Sequence, residues 1–121
     1  MKIVIQRSLK SEVSVNNKIV GKIEKGLVLL VGFHEEDTIE DIDYLVNKIV
    51  KLRIFEDENQ KMNKSILDVN GEILSISQFT LQADTKKGNR PSFIKAMNYE
   101  KAKEMYAWTK KHLCDPTDHL Y

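Results

Sequence analysis

The stretch ILSISQFTLQADTKKGNRPSF, residues 73–93, holds the residue types best placed to do chemistry. Ser77, Gln78 and Thr80 set two hydroxyls and an amide into an otherwise apolar, strand-like run. Alternate residues of a strand share a face. Ser75, Ser77, Phe79 and Leu81 are therefore expected on one side, and Leu74, Ile76, Gln78 and Thr80 on the other. Two readings fit. Serine and threonine occur in strands with their hydroxyls bonded to neighbouring backbone. Alternatively, the strand end lines a pocket where hydroxyls, amide and free backbone N–H groups orient a small polar ligand. The next residues favour the pocket. Asp84 leaves the strand, and Lys86, Lys87 and Arg90 surround Gly88. Taken alone, such a cluster reads as a solvated turn. Next to a polar strand end, three cations can hold the phosphates of an RNA or nucleotide.

Elsewhere the chain offers little machinery. His34 sits among Glu35, Glu36 and Asp37 and reads as a solvated loop histidine. His112 and His119 have neither metal-ligand spacing nor a neighbouring nucleophile. Cys114 follows a helix end, where the negative dipole disfavours a thiolate, and reads as a bystander. No phosphate-binding loop or dinucleotide fingerprint is present. No cofactor and no metal are expected.

The elements that must position the polar strand follow from local pattern. KIVIQR (2–7) alternates and reads as a strand; residues 12–24 read as a hairpin turning at Asn16, Asn17 and Lys18. GLVLLVGF (26–33) is apolar throughout and predicts a central strand covered on both faces. Ile39, Ile42, Leu45, Val46 and Ile49 recur at helical spacing behind Thr38 and Asp41, a capping-box pair, so a helix is expected over about 38–51. LRIF (52–55) turns into a short strand. Asn70-Gly71 suits a type I′ turn and predicts a hairpin through SILDV and EILSISQFTL. Residues 99–113 read as a second amphipathic helix with Asn98 as N-cap, Ala102, Met105, Tyr106, Thr109 and Leu113 as its inner stripe, and Asp115-Pro116 as its stop. About six strands, mostly hairpin-connected, with two inserted helices, place the chain in the α/β class (α+β type). The architecture expected is a small, mostly antiparallel β-barrel with two helices packed outside.

The 121 residues fit one domain able to bury a real core. Hydrophobic content of 41% with 31% charged residues argues against disorder. A formal net charge of +1 leaves any nucleic-acid role to a local patch. One cysteine excludes an internal disulfide and suits a reducing, cytoplasmic setting; no signal peptide or membrane span is expected.

With these residues in view, the chain resembles the D-aminoacyl-tRNA deacylases of the D-Tyr-tRNA(Tyr) deacylase type. The blocks QR (6–7), GLVLLVG (26–32), RIFEDENQKMN (53–63), SQFTLQAD (77–84) and KKGNRPSF (86–93) resemble family blocks in the same order, from Met1 to about Leu113. The resemblance implies a cytoplasmic homodimer with its active site at the interface. It implies hydrolysis of the ester linking a D-amino acid to tRNA, and of glycine mischarged on tRNA(Ala), as translation quality control. By position it assigns Ser77, Gln78, Phe79 and Thr80 to catalysis. It assigns Arg7, Met62, Asn63, Lys86, Lys87, Arg90, Pro91 and Phe93 to substrate or tRNA binding. Thr80 looks like a nucleophile, but an alkoxide needs a base, and the block has no His, Lys or carboxylate. The expected mechanism has no covalent intermediate. Backbone N–H groups near Phe79 and Thr80 polarise the ester carbonyl, and the free 2′-OH of the terminal adenosine helps to activate or position water.

The chain departs from the family in one respect. The family's Gly-Pro pair, which excludes L-amino acids, has no counterpart, since Pro91 and Pro116 both follow other residues. Residues 1–121 are accordingly read as one deacylase-like domain shortened after about residue 113, with low stability or aggregation expected from exposed strand edges. The competing reading is a non-catalytic relative that binds tRNA ends or acts as an interaction module.

Overall fold

The computed structural model describes residues 1–113. The readings of Cys114, Asp115-Pro116 and His119 concern residues outside that range. The elements run β1 (Lys2–Ser8), β2 (Ser11–Val15), β3 (Lys18–Ile23), β4 (Gly26–Gly32), α1 (Ile39–Lys51), β5 (Phe55–Glu56), β6 (Met62–Lys64), β7 (Glu72–Ser77), a 3₁₀ turn (Phe79–Gln82) and α2 (Tyr99–Leu113). The fold is α+β. Among the described residues the strands form a sheet in the order β1-β4-β7 and two separate pairs, β2-β3 and β5-β6. The barrel expected from the hairpin pattern is not closed among these residues.

β4 is the central strand, as its apolar run predicts. Leu27, Leu29 and Val31 are fully buried against Ile42, Val46 and Ile49 of α1 and Met105, Tyr106 and Leu113 of α2. Both helices begin where their caps predict. Thr38 and Asp41 bond reciprocally, Asp41 Oδ2 accepting the Thr38 backbone N–H at 2.9 Å. Asn98 Oδ1 accepts the Lys101 N–H at 2.9 Å. Asn16 and Asn17 turn the β2-β3 hairpin at φ 52° and 65°, a region asparagine tolerates.

Two expectations fail on β7. First, Asn70-Gly71 does not join a hairpin. Ser65 and Asp68 cap each other: the Ser65 N–H donates to Asp68 Oδ2 at 2.9 Å and the Asp68 N–H to Ser65 Oγ at 3.3 Å. The following turn closes with the Gly71 N–H on the Ile66 carbonyl and the Asn70 N–H on the Leu67 carbonyl. That is the pattern of a helix terminus, and Asn70, at φ 54°, is its left-handed cap. The same tolerance of positive φ that suggested a type I′ turn ends a single helical turn instead. β7 then pairs parallel to β4, Leu27 opposite Ile73 and Val31 opposite Ser77. Second, the strand ends at Ser77 rather than at Leu81, so the expected alternation of faces stops before Gln78.

The parallel start of β7 depends on Gly26. At φ 153°, a Cβ there would lie 1.8 Å from the Glu72 carbonyl oxygen. Ser75, fully buried in the same strand, accepts a 3.0 Å hydrogen bond from the Tyr106 hydroxyl. Its hydroxyl therefore has the structural role that was the alternative for strand serines.

Candidate active site

The site block forms where β7 runs out. The Gln78 N–H donates to the Val31 carbonyl at 2.7 Å, the last backbone bond of this segment to β4. The backbone then tightens into the 3₁₀ turn, whose first internal bond is Leu81 N–H to Gln78 O at 3.3 Å. The leading N–H groups of such a turn have no acceptor within it, and here they belong to Phe79 and Thr80. Both side chains are exposed, while Ser77 and Gln78 are half-buried.

Two residues outside the block hold it down. A Cβ on Gly32 would stand 2.7 Å from the Gln78 carbonyl oxygen and 2.9 Å from Leu81 Cβ, so the turn packs directly on this glycine. Gln82, buried, sends its Nε2 50 residues back in sequence to the Gly32 carbonyl at 2.9 Å. Neither was singled out from sequence; the only hint was a second glutamine four residues after Gln78. Gln82→Ala is expected to lower the unfolding free energy by about 1–3 kcal/mol, because a buried hydrogen bond goes. Urea unfolding measures it, and an unchanged midpoint would show that Gln82 anchors nothing.

Thr80 Oγ1 accepts a short hydrogen bond from Gln78 Nε2. An amide N–H cannot take a proton from the hydroxyl, so this contact does not activate Thr80 as a nucleophile.

The Phe79 ring meets Phe93 edge-on, with centroids 5.2 Å apart and planes at 64°. This contact joins the strand end to the basic loop. Asp84 and Ser92 close the loop with paired backbone bonds of 2.8 and 2.7 Å. Lys86, Lys87, Arg90 and Pro91 are exposed. Together with Asp84, Lys95 and others, the three cations line a concavity of about 550 Å³. The Lys86 backbone N–H, 2.9 Å from Asp84 Oδ1, holds the Asp84 carboxyl below the usual range, helped by the charges of Lys86, Lys95 and Lys87.

The other expected binding residues lie apart from this group. Arg7 pairs with Leu27 on β4, whereas Ser77 pairs with Val31, four residues or about 13 Å farther along the strand. Arg7 donates to the Ile54 carbonyl at 3.0 Å and lines a separate concavity of about 420 Å³ with Lys25, Phe55, Glu56 and Val69. Met62 and Asn63 are exposed on β6, where the Asn63 carbonyl accepts from Arg53 Nε at 2.9 Å and its amide donates to Asp57 at 3.2 Å. His34 Nδ1 accepts the Glu36 N–H at 3.1 Å, and His112 stacks on Trp108. Among the described residues no cluster of three or more His, Cys, Asp or Glu could hold a metal, and no helix is long and apolar enough to cross a membrane.

Comparison with known proteins finds relatives along most of the chain. The family described as D-Tyr-tRNA(Tyr) deacylase matches residues 4–118. A D-aminoacyl-tRNA deacylase of Clostridium novyi (strain NT) is 57% identical over 106 residues, covering 88% of this chain and 71% of the relative. The solved structure named c-Myc DNA Unwinding Element Binding Protein superposes with a TM-score of 0.89 at 39% identity, covering 98% of this chain and 79% of that one. A probable eukaryotic D-amino acid tRNA deacylase shares the fold with a TM-score of 0.77 at 19% identity, covering 92% of this chain and 65% of that one. The chain belongs to the D-Tyr-tRNA(Tyr) deacylase family.

Proposed function

We propose that this chain hydrolyses D-aminoacyl-tRNA, releasing a free D-amino acid and tRNA. The observation that carries this reading is the 3₁₀ turn after β7, which opens at the surface with two leading N–H groups and no activated side chain. In the proposed step, those N–H groups of Phe79 and Thr80 donate to the ester carbonyl oxygen as it becomes an oxyanion. Water adds to the carbonyl carbon, the bond to the ribose 3′-oxygen breaks, and a proton from that water ends on the 3′-oxygen. The adjacent 2′-OH positions the water. Ser77 and Gln78 set the turn that presents these donors.

The finer parts of the proposal come from the family. Glycine mischarged on tRNA(Ala) is a second substrate, because a site that grips backbone and sugar needs no side chain. The working form is a cytoplasmic homodimer with the active site at its interface. Arg7, Met62 and Asn63 bind substrate or tRNA from positions away from the turn, with Lys86, Lys87, Arg90, Pro91 and Phe93 on its own side.

Release of D-tyrosine from D-Tyr-tRNA, compared with L-Tyr-tRNA, tests the reading. Expected is hydrolysis of the D-ester; no release, with tRNA still bound, would favour a non-catalytic binder. Thr80→Ala is expected to keep kcat within about tenfold of the parent, since it removes a hydrogen-bonded hydroxyl and no nucleophile. Loss of activity in Thr80→Ala, retention in Thr80→Ser and a trapped acyl-enzyme would replace this mechanism with a covalent one.

A further inference from the structure

Resting on the deacylase reading proposed above, we infer that Tyr44, Lys48, Lys51 and Arg53 hold the sugar-phosphate backbone of the substrate RNA's base-paired arm, at the end of the sheet opposite the 3₁₀ turn.

The four side chains form one surface. Residues 44, 48 and 51 recur at i, i+4 and i+7 along α1 and so share a helix face. Arg53 follows just past the helix end, and with Asn47 and Leu52 the four line a concavity of about 440 Å³. All four are exposed, Tyr44 to 67%. Lysines in a last turn also offset the negative end of a helix. That accounts for Lys48 and Lys51 but not for their neighbours, since Arg53 lies outside the helix and Tyr44 offers a hydroxyl. Among the described residues, Lys48, Lys51 and Arg53 are in no ion pair. Arg53 Nε donates to the Asn63 carbonyl at 2.9 Å, which fixes the guanidinium and leaves its two terminal nitrogens for a phosphate. The charge of Arg53 also reaches Asp68, but that carboxyl is held below its usual range first by the Ser65 N–H.

The position of the surface decides what it can hold. α1 begins soon after β4 ends, on the side of the sheet where Val31 pairs with Ser77 and the turn follows. It ends just before Ile54, whose carbonyl takes the guanidinium of Arg7, the residue paired with Leu27 at the other end of β4. The 13 residues of α1, at about 1.5 Å each, set its two ends about 20 Å apart. A single nucleotide or a free aminoacyl ester held at the turn is too short to touch both. A base-paired arm is not, because it carries a row of phosphates behind the reacting end. The charge along α1 favours the same direction, with Glu40 and Asp41 in the first turn and Lys48 and Lys51 in the last. Contacts of this kind position the RNA and read no sequence.

Fluorescence anisotropy on the intact chain, with labelled uncharged tRNA and a labelled unpaired hexaribonucleotide, tests the assignment. The tRNA is expected to bind at least about tenfold more tightly, and a Lys48→Gln/Lys51→Gln chain to lose most of that gain. The slope of log K against log salt for tRNA is expected to fall by about 1.8, for two phosphate contacts on a duplex. A Lys18→Gln/Lys103→Gln chain, which removes the same charge elsewhere, is expected to keep the gain. Equal binding of the two RNAs by the unaltered chain would overturn the proposal. So would a Lys48→Gln/Lys51→Gln chain that melts normally and keeps the gain, or a control chain that loses as much. D-Tyr-tRNA hydrolysis by the same preparations separates the two readings, with KM expected to rise and kcat to hold in the Lys48→Gln/Lys51→Gln chain. A lost gain in that chain, with no hydrolysis by the parent, removes the deacylase reading and leaves this surface standing. Hydrolysis by the parent, with KM and tRNA binding unmoved in the variant, does the reverse.

Discussion

Gly32→Ala is expected to lower kcat/KM for D-aminoacyl-tRNA hydrolysis by on the order of 10²-fold while leaving a folded protein. The added methyl would sit 2.7 Å from the Gln78 carbonyl oxygen and 2.9 Å from Leu81 Cβ. The first of these is backbone and cannot rotate away. The turn bearing Phe79 and Thr80 must therefore lift from β4, and the Gln82 bond to the Gly32 carbonyl stretches with it. A shift of a few tenths of an ångström to about 1 Å is enough to misalign preorganised donors. The stability cost of one overpacked methyl is about 1–3 kcal/mol. Single-turnover hydrolysis and thermal melting on the same sample separate the two effects. Full activity in a folded Gly32→Ala chain would mean that the turn's position does not matter to the reaction, and the proposed donors would have to be abandoned.

The second large effect lies in the substrate. D-aminoacyl-tRNA ending in 2′-deoxyadenosine is expected to react on the order of 10²–10³-fold more slowly than its ribose counterpart, the range associated with losing a positioned proton-handling group. Among the described residues, none of the hydrogen bonds made by the turn joins it to a histidine, lysine or carboxylate side chain. Thr80 Oγ1 accepts from an amide. Asp84, the next carboxylate along the chain, is held ionised by the Lys86 N–H and nearby lysines, which makes it a weak base. Ester hydrolysis then depends on the ribose hydroxyl beside the scissile bond. Equal rates for the two substrates would show that a side chain elsewhere, or one from a second subunit, manages the proton.

Local signals were legible in the sequence, and pairings between distant segments were not. The Thr38–Asp41 box, Asn98 and the Asn16-Asn17 turn mark boundaries the structure reproduces, because each acts through neighbours three or four residues away. The parallel union of β7 with β4 spans more than forty residues and has no local mark. Asn70 misled because the left-handed conformation it favours serves both hairpins and helix ends; the capping pair Ser65–Asp68 was the evidence that could have decided. The SQFT block stood out by its polar residues in an apolar run. Its shape did not, since the alternation Phe79, Leu81 continues a strand pattern while contact with Gly32 bends the backbone into a 3₁₀ turn. Gln82 and Lys95 were missed for the same reason: their partners lie on β4 and across the loop.

The Tyr106–Ser75 hydrogen bond bears on when, during synthesis, this protein can begin to work. β7 leads directly into the Phe79–Thr80 turn, yet its buried serine is matched to a tyrosine 31 residues later. While the ribosome tunnel still holds α2, the bond from that tyrosine cannot form and the strand lacks the helix that packs on it. The turn is thus expected to take its settled position only once the last described helix has docked, and a chain cut before residue 99 is expected to lose D-aminoacyl-tRNA hydrolysis.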